Sequence, residues 1–249
     1  MPVRPDGRCR AGRPVPTVEH MTERTALITG GSRGLGRALA HALARDGWKL
    51  IIDARGADAL DAVAAELPGD VTALAGDLGD SWHRAALVSA VEEGGGGLDL
   101  LVNNASTLGA APLPRLADYP LDELERAFRT NTIAPLALVQ SLLPALTRRR
   151  GAVLGISSDA AVEAYEGWGG YGATKAAFEQ ISHVLSVEEP GLAVWWVDPG
   201  EMRTEMLRDA MPEEDLSATP PPETVVPALL RLIDGRLPSG RYTAGGLLR

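Results

Sequence analysis

Between residues 25 and 233 a short apolar run is followed six times by a segment long enough for a helix, and no other feature narrows the fold so far. The runs are 25–29, 50–52, 71–74, 98–102, 152–156 and 193–197, with a seventh at 241–243. The segments read as helices are 35–45, 57–67, 81–93, 121–149, 171–187 and 224–233. Strands joined by helix-length crossovers pair in parallel, and a parallel sheet needs helices on both faces. The expectation is an α/β chain built on a doubly wound parallel sheet of about seven strands. No repeat or linker divides it. The glycines at 94–97 and the prolines at 220–222 read as loops. Residues 21–249 are therefore expected to form one domain. Residues 1–20, rich in Pro, Gly and Arg without apolar period, are expected to be a disordered tail, with Met21 as a candidate start.

Charge and composition exclude several classes. The net charge of −9 gives no footprint for nucleic acid or anionic lipid. One cysteine, Cys9, rules out a disulfide scaffold and a cysteine-based zinc site. His20, His41, His83 and His183 form no spaced cluster, so no metal is expected. The best apolar stretch, 133–146, is short for a membrane span and is broken by Pro135, Gln140, Ser141 and Pro144. The tail has no apolar core after its arginines, so it is not read as a secretory signal, and the chain is expected to be cytoplasmic.

The first strand runs into Thr29-Gly30-Gly31-Ser32-Arg33-Gly34-Leu35-Gly36, and a helix follows. Glycines there allow close backbone approach, and the helix N-terminus offers N–H groups to a phosphate. Tyr171 and Lys175 are four apart, on one face of a helix. A tyrosine is a weak acid near neutrality, with a pKa of about 10, and a neighbouring ammonium is expected to lower it.

The chain resembles the short-chain dehydrogenase/reductase family in its compact form. The motifs occur in the family's order: the Thr-Gly turn, Asp77-Leu78 after the third strand, Asn103-Asn104-Ala105-Ser106 at the end of the fourth, Asn131, Ser158, Tyr171 to Lys175, and Pro199-Gly200 with Thr204 after the sixth. The match is strong over residues 25–204 and loose beyond. Ser106 stands where the family has glycine, and the loose final strand argues against a tetramer.

The resemblance implies a single-domain Rossmann fold and hydride transfer between a nicotinamide dinucleotide and a small carbonyl or alcohol substrate. It implies Tyr171 as acid/base and Lys175 as a ribose contact. Ser158 would hydrogen-bond the substrate oxygen, and Asn131 would hold a water linking Lys175 to solvent. Thr29, Gly30, Ser32, Arg33, Gly34, Leu35, Gly36, Arg55, Asp77, Leu78, Asn103, Ala105, Lys175, Pro199, Gly200 and Thr204 would hold the coenzyme. The thirteen-residue interval to Tyr171 favours Ser158 over Ser157.

Coenzyme choice depends on charge at the end of the second strand. The family's NAD-selecting position falls on Ala54, Asp53 should face the other side of the sheet, and Arg55 and Arg33 supply cations. NADP(H) is favoured over NAD(H). Trp195 and Trp196 are read as core. Tyr165 and Trp168 either wall the substrate pocket or pack at a subunit contact, and Met206, Leu207 and Met211 either line a flap or belong to the core. A homodimer through segments 121–149 and 171–187 is expected. The alternative from another class is a dinucleotide-binding sensor or scaffold without turnover.

Overall fold

The structure, a computed structural model, describes residues 24–249. The expected tail and the candidate start at Met21 lie outside the described residues. Seven strands form one sheet: β1 (Thr25–Ile28), β2 (Lys49–Ala54), β3 (Val71–Ala75), β4 (Leu100–Asn103), β5 (Ala152–Ile156), β6 (Ala193–Asp198) and β7 (Gly240–Thr243). Their spatial order is β3-β2-β1-β4-β5-β6-β7, and every pairing is parallel. β2 is longer than its apolar run because Asp53 and Ala54 continue the ladder opposite Leu74 and Ala75.

Both faces of the sheet are covered, so the central strands are apolar at successive positions. Ala26, Ile28, Leu50, Ile52, Val102, Leu154 and Trp195 pack against α1 (Gly34–Arg45), α2 (Ala57–Glu66) and α8 (Val226–Gly235). Leu27, Ile51, Leu101, Val153 and Val194 pack against α3 (Ser81–Glu93) and α5 (Ala134–Arg149). α6 (Gly169–Glu188) lies beside them, its Phe178 ring seated where a side chain at Gly155 of β5 would stand. Trp195 and Trp196 are both buried, and the Trp195 indole donates to the Leu237 carbonyl at 2.9 Å.

The single helix expected over 121–149 is corrected. The structure has α4 (Leu121–Phe128), a π turn at Arg129–Ile133, and then α5. Pro135 has no N–H to give the Asn131 carbonyl four residues earlier, so the regular hydrogen-bond ladder is already weakened where the π turn stands. The last long helix also starts later than expected. A 3₁₀ turn at Pro222–Thr224 precedes α8. The described residues also include two short helices, α7 (Glu205–Ala210) and α9 (Ala244–Leu247).

Candidate active site

The sheet order reverses between β2-β1 and β4, and a crevice opens there at the carboxyl ends of the strands. It widens into a cleft of about 1600 Å³. Gly30, Ser32, Arg33, Gly34, Leu35, Arg55, Asp77, Leu78 and Ala105 line one half. Ser158, Tyr171, Lys175, Pro199, Gly200 and Thr204 line the other. Four residues expected in the site stand behind this wall: Thr29, Gly36, Asn103 and Asn131.

Those four shape the wall. The Thr29 hydroxyl donates to the Val102 carbonyl and accepts from the N–H groups of Asn104 and Ala105, tying the glycine turn to the end of β4. Gly30 has φ +70°, and a Cβ on Gly36 would strike the Gly30 carbonyl oxygen. These two glycines let the turn fold flat onto α1. α1 has neither a side-chain cap nor an acid in its first turn. Its free N–H groups and positive dipole end therefore suit an anionic ligand, and this half of the cleft fits the pyrophosphate of a dinucleotide. The Asn103 carboxamide oxygen is buried without a partner.

The acid at the end of β2 is fully engaged. Asp53 lies on the α3 side of the sheet, where Oδ1 accepts the Gly30 N–H at 2.8 Å and Oδ2 lies 3.0 Å from Nε2 of the buried His83. It is a prop under the glycine turn. Arg55 is exposed on the cleft, and Arg33 pairs with Glu205 at the start of α7. Asp77 turns its Oδ1 to the Gly79 N–H at 2.7 Å.

At the other half, α6 presents Tyr171 and Lys175, both buried. The Trp168 ring meets Tyr171 edge-on, with centroids 5.7 Å apart, and Leu108, Ala160 and Met206 complete an apolar collar. Trp168 is thus a wall of the cleft. Burial pushes the Tyr171 phenol up to about 12, opposed by hydrogen bonding from Ser106 and Ser158 and reinforced by Asp159 and Asp198. The Lys175 ammonium donates to the Ile156 carbonyl at 2.7 Å and lies 5.5 Å from the Tyr171 ring centroid. Burial pulls it down to about 8, with Glu179 acting the other way. The phenol is thus raised, against the expectation that the ammonium lowers it: desolvation dominates both groups and moves their pKa values apart, the phenol upward and the ammonium downward.

The Asn131 side chain is fully engaged. Its Oδ1 accepts from the Thr107 N–H and the Ser106 hydroxyl, and its Nδ2 donates to the Thr107 carbonyl and the Thr174 hydroxyl. All four hydrogen-bonding positions of the side chain are taken, so it has none for a water. It clamps the loop after β4 to α6. Ser158 faces Tyr171, with its hydroxyl 3.0 Å from Asp159 Oδ1, whereas Ser157 is buried and donates to Glu179. Reading the sequence missed two contributors. Ser106 is visible there only as a departure from glycine. Glu179 is signalled by its position four residues beyond Lys175.

The chain matches the short chain dehydrogenase family over residues 24–215. It is 37% identical to serine 3-dehydrogenase of Agrobacterium fabrum over 184 residues, 73% of each chain. It is 36% identical over 195 residues to the rhamnolipids biosynthesis 3-oxoacyl-[acyl-carrier-protein] reductase of Pseudomonas aeruginosa, covering 74% of this chain and 75% of that one. Among solved structures, the alcohol dehydrogenase of the archaeon Thermococcus sibiricus complexed with 5-hydroxy-NADP superimposes with a TM-score of 0.81 at 26% identity, covering 89% of this chain and 95% of the other.

Proposed function

The chain belongs to the short-chain dehydrogenase/reductase family of NAD(P)-dependent oxidoreductases, and on that premise we propose that it interconverts a carbonyl and a secondary alcohol on a small organic substrate with Tyr171 as acid/base. One observation carries the reading. Tyr171, Lys175 and Ser158 meet at one end of a cleft whose other end is a bare helix N-terminus behind a glycine turn. A bound nicotinamide coenzyme supplies or accepts the hydride.

The rest of the chemistry belongs to the chain. A phenol with a pKa of about 12 is protonated at neutral pH, which is the form that donates to a carbonyl oxygen. The Ser158 hydroxyl hydrogen-bonds that oxygen. Lys175 holds the nicotinamide ribose and, while charged, favours the phenolate left behind. With its side chain taken, Asn131 would hold the water linking Lys175 to solvent through its main-chain carbonyl, to which Pro135 has no N–H to give. The collar of Trp168, Leu108 and Met206 selects an apolar or cyclic carbonyl compound.

The coenzyme is NADP(H) rather than NAD(H). Asp53 is occupied beneath the turn and cannot take a ribose hydroxyl, while exposed Arg55, with Arg33, supplies positive charge for a 2′-phosphate. Exposed Leu121, Ile133, Val184 and Val187 on the α4–α5 and α6 segments support a homodimer through these helices. A panel of carbonyl compounds with NADPH, followed at the nicotinamide absorbance band, tests the activity. Coenzyme bound tightly with no turnover on any of them would return the chain to a dinucleotide-binding sensor.

A further inference from the structure

Three consecutive residues at the end of β5 are held by three different side chains. Lys175 Nζ donates to the Ile156 carbonyl at 2.7 Å. The Ser157 hydroxyl donates to Glu179 Oε1 at 2.6 Å. Arg241 Nη2 donates to the Ser158 carbonyl at 3.3 Å. Arg241 closes the set, because its Nε lies 3.0 and 3.1 Å from the two Glu179 carboxylate oxygens. The Glu179 carboxylate is almost enclosed, at 12% side-chain exposure. Tyr171, Lys175 and Glu179 are spaced by four along α6 and share one face. The last strand thus reaches the segment carrying Ser158 through one ion pair.

We infer that Glu179 and Arg241 are positioning residues, a partly buried charge pair that fixes the Ser158 main chain and sets the field felt by Lys175. The inference rests on the catalytic reading above, since it concerns the same lysine and serine. A pair serving only as packing would be indifferent to the charge on Lys175. This pair is not, because the anion lies one helical turn away and Arg241 partly neutralises it.

The other charged groups on elements packed against α6 have their own places. Arg129 of the π turn lies against Gly79, Glu123 and Arg126 of α4 pair with each other, and Asp122 and Glu125 are exposed. Asp159 bonds Ser158 and Tyr165, and Asp198 accepts from the Gly200 N–H, both on the Tyr171 side. Glu179 is the group acting to keep Lys175 charged against burial. Removing its charge should make Lys175 release its proton more easily. Removing Arg241 should do the opposite, since the anion then acts undiluted. A merely structural pair gives two variants with the same loss and no movement of the lysine.

The sequence makes the measurement direct. Lys49 and Lys175 are the chain's two lysines, and Lys49 pairs with Asp70 at the far end of the sheet. Protein labelled with ¹³C at lysine Cε is titrated by NMR as wild type, Glu179→Gln and Arg241→Met. The Lys175 midpoint should fall in Glu179→Gln and rise in Arg241→Met, each by about three- to tenfold in proton affinity. Lys49 should not move and reports that the fold is intact. If Arg241→Met does not fold, Arg241→Gln takes its place with the same expected rise. A Lys175 midpoint unmoved in both folded variants, or moved the same way, overturns the inference. The titration uses neither coenzyme nor substrate. Undiminished turnover in Tyr171→Phe would strike the catalytic reading instead, so the two failures are distinguishable.

Discussion

The two halves of the cleft are built from different materials. The β1–β3 half is made of backbone: glycines, helix N–H groups and strand ends, with Asp53 and His83 as a prop and exposed arginines at the rim. The β5–β7 half is made of side chains: a buried phenol and ammonium, and a partly buried carboxylate and guanidinium that pair with each other, gathered around the segment carrying Ser158. Backbone recognition tolerates side-chain change at its rim and fails when the turn is altered. A side-chain network fails at single atoms. Substitutions in the two halves should therefore separate into affinity effects and rate effects.

The largest separation is expected at Tyr171. Tyr171→Phe keeps the ring in its collar and removes the proton, so turnover should fall by ~10²–10⁴-fold while coenzyme affinity, read by fluorescence titration, stays within about twofold. Equal losses in both would mean that the two halves are not independent. Next is Asn131. Asn131→Ala leaves the Thr107 backbone groups and two hydroxyls short of partners, and unfolding curves should show a loss of about 2–4 kcal/mol. A stable Asn131→Ala protein would show that the loop after β4 does not need its clamp.

Lys175 sharpens the comparison with a sign. Its pKa is lowered on folding from 10.5 to about 8, so below pH 8 the unfolded chain holds the proton more tightly and the buried charge costs stability. That cost is fully present below the folded value and disappears as pH rises through 8 towards 10.5. Lys175→Met should therefore be more stable than wild type at pH 7, by about 1–3 kcal/mol, and the advantage should vanish by pH 10.5. The same variant should lose turnover and coenzyme affinity together. Thermal melts across that range would refute the account if the curves stayed parallel.

The smallest effect belongs to the rim. Arg55→Ala should weaken NADPH binding by about tenfold and leave NADH nearly unchanged, as suits a charge-assisted contact at an exposed site. Tighter binding of NADH than NADPH by wild type would show that Asp53 is available after all.

The legible part of the molecule is the part written in short intervals. Strand runs, helix lengths, the glycine turn and the Tyr171–Lys175 spacing are local patterns, and the sheet follows from them because parallel strands need crossovers. What escaped depends on distance and burial. Arg241 meets Glu179 across 62 residues, and Arg33 meets Glu205 across 172. The upward move of the Tyr171 phenol comes from enclosure by residues of four separate segments, which no spacing records. The π turn was hidden because the apolar period on either side of it is ordinary helix.

That turn can also be counted in residues. A π turn holds one residue more than the α-helical turn it replaces, so the path from α4 to α5 amounts to an insertion of length one. Deleting a single residue there would restore a continuous helix and rotate α4 by about 100° relative to α5. Asn131 would then leave its place between the β4 loop and α6, although every other side chain was kept. The lineage of this chain is in that sense tied to a reading-frame length through this helix, and a one-codon change, silent as chemistry, would dismantle the wall behind Tyr171.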